Sequence, residues 1–183
     1  MKKIFCLFAF MFALTPSFAQ NEENRDSVTI SNFYKELEAQ KVTEICGVKF
    51  GTSYEDAKRI LENKYGKAYK HSKQDIAFKY KNYAGISFDT ILFFFQSDGY
   101  RTYMNKCVFI LDAYTAKEAK EKRDRLYKRL SDKYYMYEEI DENGFKYYIG
   151  GVSPVNENNA AFIIDIVKLD KDLAKKTTHT QLV

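Results

Sequence analysis

Apolar and polar residues alternate along much of this chain with a period of two, and twice that rhythm gives way to apolar residues recurring every three or four. The period-two stretches predict strands over 42–50, 76–83, 88–96, 103–113, 136–140, 145–149 and 160–169. The run Ile91-Leu92-Phe93-Phe94-Phe95 is apolar on both faces, which predicts a central strand. The first helical stretch follows Thr52-Ser53-Tyr54-Glu55, read as a capping box, and ends at Lys64-Tyr65 with Gly66 in the C′ role. Its packed stripe is Tyr54, Ala57, Ile60, Leu61 and Lys64-Tyr65.

A second box, Thr115-Ala116-Lys117-Glu118, opens a helix expected to run to Lys133-Tyr134, with Tyr114 spaced to staple onto Ala119. Ala119, Leu126, Leu130 and Tyr134 face inward, while Lys120, Glu121, Asp124 and Lys128 face solvent. Turns are expected at Ala84-Gly85, Ser97-Asp98-Gly99 and Asp141-Glu142-Asn143-Gly144, the Asn-Gly pair favouring a tight hairpin. A short helix is expected over 31–40.

In order, these elements make a strand, a capped helix and strands, then the same again, with a cysteine upstream of each cap. The expected fold is therefore α+β: a single layered domain, mainly antiparallel, with about six strands and two main helices on one face. A βαββ duplication is one reading of the two halves. The domain spans 42–169, between a polar leader over 20–41 and a polar tail over 170–183.

The first nineteen residues break every pattern above. Lys2 and Lys3 precede an uninterrupted apolar run over 4–14, Pro16 ends it, and Ser17-Phe18-Ala19 presents small residues for cleavage. This is the pattern of a secretory signal peptide over 1–19, cut after Ala19, and it predicts a periplasmic or secreted protein. The run is too short for a membrane span, and position 20 is Gln rather than a lipid-anchor cysteine. No transmembrane segment is expected in the mature chain.

Composition adds 15 Phe and 15 Tyr against no Trp, with only 2 Pro and 8 Gly, which fits a strand-rich globular domain. The formal charge of +4 loses two units when Lys2 and Lys3 leave. That balance argues against a nucleic-acid partner. Cys46 and Cys107 survive processing, and an oxidising compartment permits either a disulfide or two buried thiols. If the halves are related by duplication, the two cysteine strands can be neighbours.

Catalytic candidates are few. His71 sits in a polar loop and His179 in the tail, and neither belongs to a metal motif. There is no Gly-rich phosphate loop and no nucleophile elbow, so no catalytic, metal or cofactor residues are assigned and no cofactor is expected. Carboxylates gather at Glu138-Glu139 and Asp141-Glu142 around a turn, and Asp165 interrupts an apolar strand, reading as an open sheet face. Tyrosines supply rigid area with a polar tip, so Tyr80, Tyr83, Tyr147 and Tyr148, with Asp165, form the candidate binding surface.

The run Gly47-Val48-Lys49-Phe50-Gly51-Thr52-Ser53-Tyr54-Glu55-Asp56-Ala57, through Leu61 to Lys64-Tyr65-Gly66 and a strand ending in Asp98-Gly99, resembles small uncharacterised exported proteins of Bacteroidetes. At fold level it also resembles the beta-lactamase inhibitor protein and small outer-membrane assembly lipoproteins. The resemblance implies a layered α+β fold with one sheet face open to partners. In that setting Asp26-Ser27-Val28 and Asp89-Thr90-Ile91 resemble a short O-glycosylation signal, with Ser27 in the leader the better candidate.

The expected function is non-enzymatic binding of another protein in the cell envelope. One alternative is a small hydrolase using Asp165 and the acids of 138–142. Another is a carrier of an apolar ligand in a cavity among Phe93, Phe95, Phe109 and Phe162.

Overall fold

The computed structural model describes residues 4–9, 35–142, 144–154 and 159–168. The elements are β1 (Ile4–Ala9), α1 (35–39), β2 (Glu44–Ile45), β3 (Val48–Lys49), α2 (Tyr54–Tyr65), β4 (Lys70–His71), β5 (Asp75–Tyr83), β6 (Ile86–Ser97), β7 (Thr102–Ala113), α3 (Ala116–Ser131), β8 (Met136–Ile140), β9 (Lys146–Val152) and β10 (Ala160–Lys168). The class is α+β, with antiparallel pairing throughout the main sheet. The count differs from the expected six strands. The described residues form an eight-stranded sheet in the order β4-β5-β6-β7-β1-β10-β9-β8 and a separate two-stranded ribbon, β2-β3.

The extra strands are ones that alternation cannot reveal. Strand β4 is two residues long, below any readable period. The leader's apolar run predicts a cleaved signal, yet its residues Ile4–Ala9 are paired on both sides, with β7 and with β10. Because β7 and β10 are each antiparallel to β1, they run parallel to one another. The expected cleavage site after Ala19, the polar leader over 20–34 with Ser27, and the tail over 170–183 lie outside the described residues.

The strand expected over 42–50 is instead a hairpin. Cys46 and Gly47 both take positive φ, +57° and +85°, and the chain folds back so that Ile45 opposes Val48. Positive φ at both central residues is the signature of a type I′ turn. Cysteine there hides the turn, since only the glycine advertises it. Ala84-Gly85 does the same between β5 and β6, at +50° and +77°, as expected.

Helix α2 is capped by Ser53 rather than Thr52: the Ser53 hydroxyl accepts from the Asp56 amide at 3.3 Å. Gly66 closes the helix at φ +80°. Helix α3 starts as read, with the Thr115 hydroxyl accepting from the Glu118 amide at 3.1 Å and the Glu118 carboxylate accepting from the Tyr114 amide at 2.9 Å. The Tyr114 ring is 63 % exposed and so does not staple onto Ala119. Helix α3 ends at Ser131, short of the expected Lys133-Tyr134.

Each helix is followed by an antiparallel meander, α2 by β4-β5-β6-β7, of which β4 is only two residues, and α3 by β8-β9-β10. The two meanders are set in mirrored order about β1. Both helices feed one buried cluster: Ala57, Leu61 and Tyr65 from α2 and Leu126 from α3 join Phe78, Ile91, Phe93, Cys107, Phe109, Phe162 and Ile164 from the strands. Ring pairs fill it, with Phe78 against Phe93 at 6.2 Å and Phe88 against Phe109 at 4.8 Å between centroids.

Residues 40–53 thread between the halves at one end of the sheet. The Val152 amide donates to the Gln40 carbonyl at 2.8 Å, and the Val42 amide donates to the Val152 carbonyl at 3.1 Å. Ten residues on, the Gly51 amide donates to the Met104 carbonyl and the Met104 amide to the Thr52 carbonyl, both at 2.8 Å. This segment ties the end of β9 to the start of β7. Among the described residues no helix is long and apolar enough to cross a membrane.

Candidate functional site

The five residues of the candidate binding surface do not share one face. Tyr147 and Tyr148 are consecutive in β9 and so point to opposite sides of the sheet. Tyr148 goes to the helix side, 4.3 Å from the Tyr127 ring and 5.1 Å beneath the Arg123 guanidinium. Tyr83 is also on that side, its ring stacked on Phe109 at 5.1 Å. Tyr80 is 77 % exposed at φ +54°, an unfavourable backbone for a tyrosine. Only Tyr147 and Asp165 lie on the opposite face, where the β9-β10 register carried one residue beyond Ile164↔Tyr148 sets them across from each other.

That opposite face carries a continuous row. Leu92 on β6 pairs with Val108 on β7, Val108 with Ala9 on β1, Ala9 with Ile163 on β10, Ile163 with Ile149 on β9, and Ile149 with Tyr137 on β8. Its residues alternate with the core residues Phe93, Cys107, Phe162, Ile164 and Tyr148. Leu92, Ile149 and Ile163 are partly exposed, and Tyr137 is 63 % exposed. On the next row Lys106 lies over the Phe94 ring at 5.0 Å, and burial lowers its pKa.

The two cysteines are separate buried thiols. Burial pushes the Cys46 thiol up to about 11, with the Tyr65 hydroxyl and the Lys64 charge pulling the other way. Burial also raises Cys107 well above the usual thiol range, reinforced by Cys46. The surrounding hydroxyls follow: burial raises Tyr83 to about 12, with the Cys46 thiol adding and the Cys46 backbone opposing, and burial raises Tyr65 as well, with Cys46 adding. The Tyr65 hydroxyl is buried beside Cys46 without a well-aligned hydrogen bond. The Lys64 ammonium donates to the Cys46 carbonyl at 3.0 Å and sits over the Tyr65 and Tyr83 rings. Both thiols are thereby held in the protonated, less nucleophilic form at neutral pH.

The carboxylates do not converge. Glu138 pairs with the Lys146 ammonium at 2.6 Å, and Glu139, its neighbour in β8, points to the other side of the sheet. Asp141 organises its own loop, its carboxylate accepting from the Phe145 amide at 2.7 Å. That loop spans 141–145 between Ile140 and Lys146, longer than the tight turn read from Asn-Gly. Phe93, Phe109 and Phe162 are fully buried and Phe95 nearly so, each packed on another ring: Phe93 on Phe78, Phe95 on Tyr54, Phe109 on Phe88 and Phe162 on Tyr134. His71 is exposed in β4, and Thr90 of the second glycosylation-like triplet is half-buried within β6. Among the described residues no three His, Cys, Asp or Glu side chains gather as a metal site.

The residue that sequence reasoning missed is Arg123, 4 % exposed. Its Nε and Nη2 donate to the Asp124 carboxylate at 3.0 and 2.8 Å, and its Nη1 donates to the Lys146 carbonyl at 2.8 Å, which fastens α3 to β9. The signal was present: positions 119, 123 and 126 fall on one helical stripe. A charged residue on that stripe reads as solvent-facing unless the strand carbonyl opposite is known. Comparison with family models, with curated proteins and with solved structures returns no match.

Proposed function

We propose that this chain is exported, loses its first nineteen residues, and works as a non-enzymatic protein-binding module of the cell envelope. The observation that carries this reading is the pair of apolar rows Leu92-Val108 and Ile163-Ile149-Tyr137, on the sheet face away from the core that α2 and α3 cover and on either side of the lane that β1 occupies. Apolar rows of this kind, bordered by charge, mark recognition surfaces. Lys106 and Asp165 supply the border here. The same reading takes the two helix-plus-meander units as a duplication, which doubles the width of the face.

The test is in-cell crosslinking of the tagged, exported protein in its native host, with mass spectrometry of what it captures. An envelope partner lost from a Tyr137→Ala, Tyr147→Ala variant with unchanged thermal melting supports the reading. Capture of background proteins alone, from a well-exported sample, sinks it.

A further inference from the structure

We propose that in the exported chain the lane between β7 and β10 is a strand-acceptor site, filled in trans by an extended apolar segment of another exported polypeptide. The inference rests on the export reading above. Cleavage after Ala19 removes Ile4–Ala9, which is the strand that occupies this lane, pairing over residues 108–113 of β7 and 163–168 of β10. With β1 gone, the two facing edges stand two strand spacings apart, roughly 9.5 Å, too far for a ladder between them. Unpaired backbone groups along both edges are costly to leave buried and are a template for a new strand.

Two features hold the lane open without β1. Residues 40–53 bridge β9 at Val152 to β7 at Met104, which keeps the halves apart at the end where both β7 and β10 begin. Helix α3 lies across β7 and β10 as well as β1, and so forms a roof over the vacated lane. The result is a groove with two hydrogen-bonding walls, a roof and one closed end.

The chemistry of the occupant follows from the walls. On the roofed side the lane is flanked by Phe109 and Leu111 from β7 and Ile164 from β10. On the open side Ile110 and Ile163 flank it, with Asp112 and Asp165 the charges in reach. An uncharged, largely apolar strand antiparallel to both neighbours fits, as Ile-Phe-Cys-Leu-Phe-Ala does. Of the chain's own remaining segments, 20–27 and 170–181 are polar and charged, a poor match to these walls, while 28–34, Val-Thr-Ile-Ser-Asn-Phe-Tyr, is uncharged but less apolar than Ile4–Ala9, and filling by it is the rival that the exchange experiment below reads. Main-chain bonds give such a site affinity, and the alternating side chains give it selectivity.

The test uses the full-length chain exported into a bacterial periplasm and recovered there. Intact mass comes first: a protein starting at Gln20 upholds export, and one that retains residues 1–19 sinks the export reading and the lane with it. Hydrogen exchange is then followed with and without a synthetic peptide of residues 2–9 carrying Cys6→Ser. At least about tenfold slower exchange at 108–113 and 163–168, with β5 unchanged and no effect from the same peptide bearing Leu7→Pro, supports the site. Edges already protected without peptide in the cleaved protein overturn the proposal while leaving export intact, since the sheet has then closed or filled itself.

Discussion

The ring of Tyr83 lies over that of Phe109 at 5.1 Å with 27° between their planes, joining the end of β5 to the middle of β7 across β6. The stack joins strands that are not hydrogen-bonded to each other, so its loss is not buffered by a ladder. Tyr83→Ala is expected to destabilise the fold by about 2–3 kcal/mol, and Tyr83→Phe by about 1, in urea unfolding. Tyr80→Ala, only three residues away but exposed, is expected within about 0.5 kcal/mol of the parent. Equal losses at the two positions would count against the placement of Tyr83 in the core.

Tyr80 also makes a backbone prediction. Glycine inside a strand normally weakens it, but a tyrosine at φ +54° carries strain that glycine relieves. Tyr80→Gly is expected to raise stability by about 1 kcal/mol by the same assay. A loss of that size would show that β5 is extended at this residue.

Gly150 is expected to tolerate no side chain. A Cβ there would meet the Met136 sulfur at 2.3 Å, the Phe162 ring at 2.9 Å and the Tyr135 carbonyl at 2.9 Å. Gly150→Ala should cost about 3 kcal/mol from overpacking. Gly99→Ala, at φ +90° with nothing within 4 Å, should cost only about 1. Thermal melts of the two variants separate crowding from backbone strain.

Arg123→Met removes a buried cation and leaves the Lys146 carbonyl without that donor. A loss of about 2 kcal/mol is expected, with Arg123→Lys no better than halfway because a single ammonium cannot reach the Asp124 carboxylate and the carbonyl in the same fork. Denaturant midpoints for the two variants decide it. Parity with the wild type in both would remove Arg123 as the fastening of α3 on β9.

The buried thiols and phenols fix an alkaline limit. The unfolded chain loses the Cys46 proton near 9.0, whereas the folded chain holds it to about 11. Between those values the unfolded state has released more protons, so stability falls as pH rises through the window and is flat, for this group, below it. Cys46 alone accounts for about 2 kcal/mol by pH 11, and Tyr83, Tyr65 and Cys107, all raised, act in the same direction. Urea midpoints at pH 8, 9, 10 and 11 read the slope, and Cys46→Ala should flatten it. At pH 8 both thiols should resist thiol reagents until the chain is unfolded.

Alternation and punctuation made most of the sheet legible. Strands β5 to β10 fall within a few residues of their predicted ranges, all but the mostly exposed β8 because each has one face in the core, and glycine marks the β5-β6 turn. What stayed hidden has physical causes. The turn at Cys46 depends on a left-handed cysteine, which residue preference argues against. The candidate surface was read from tyrosine count, but a tyrosine ring packs in a core as readily as it binds a partner, and Tyr83 and Tyr148 took the first course. Which face a strand tyrosine takes follows from register, and register is set by partners distant in sequence.

The pairing of Ile4 with Lys168 brings the earliest and latest strands of the described chain together at the middle of the sheet. Contacts so distant in sequence form late, since the whole intervening chain must be made before the loop between them can close. While the leader is attached, the sheet cannot be completed until Lys168 has been synthesised. The middle of the sheet is therefore the last part of it that can close, whatever order the outer strands take.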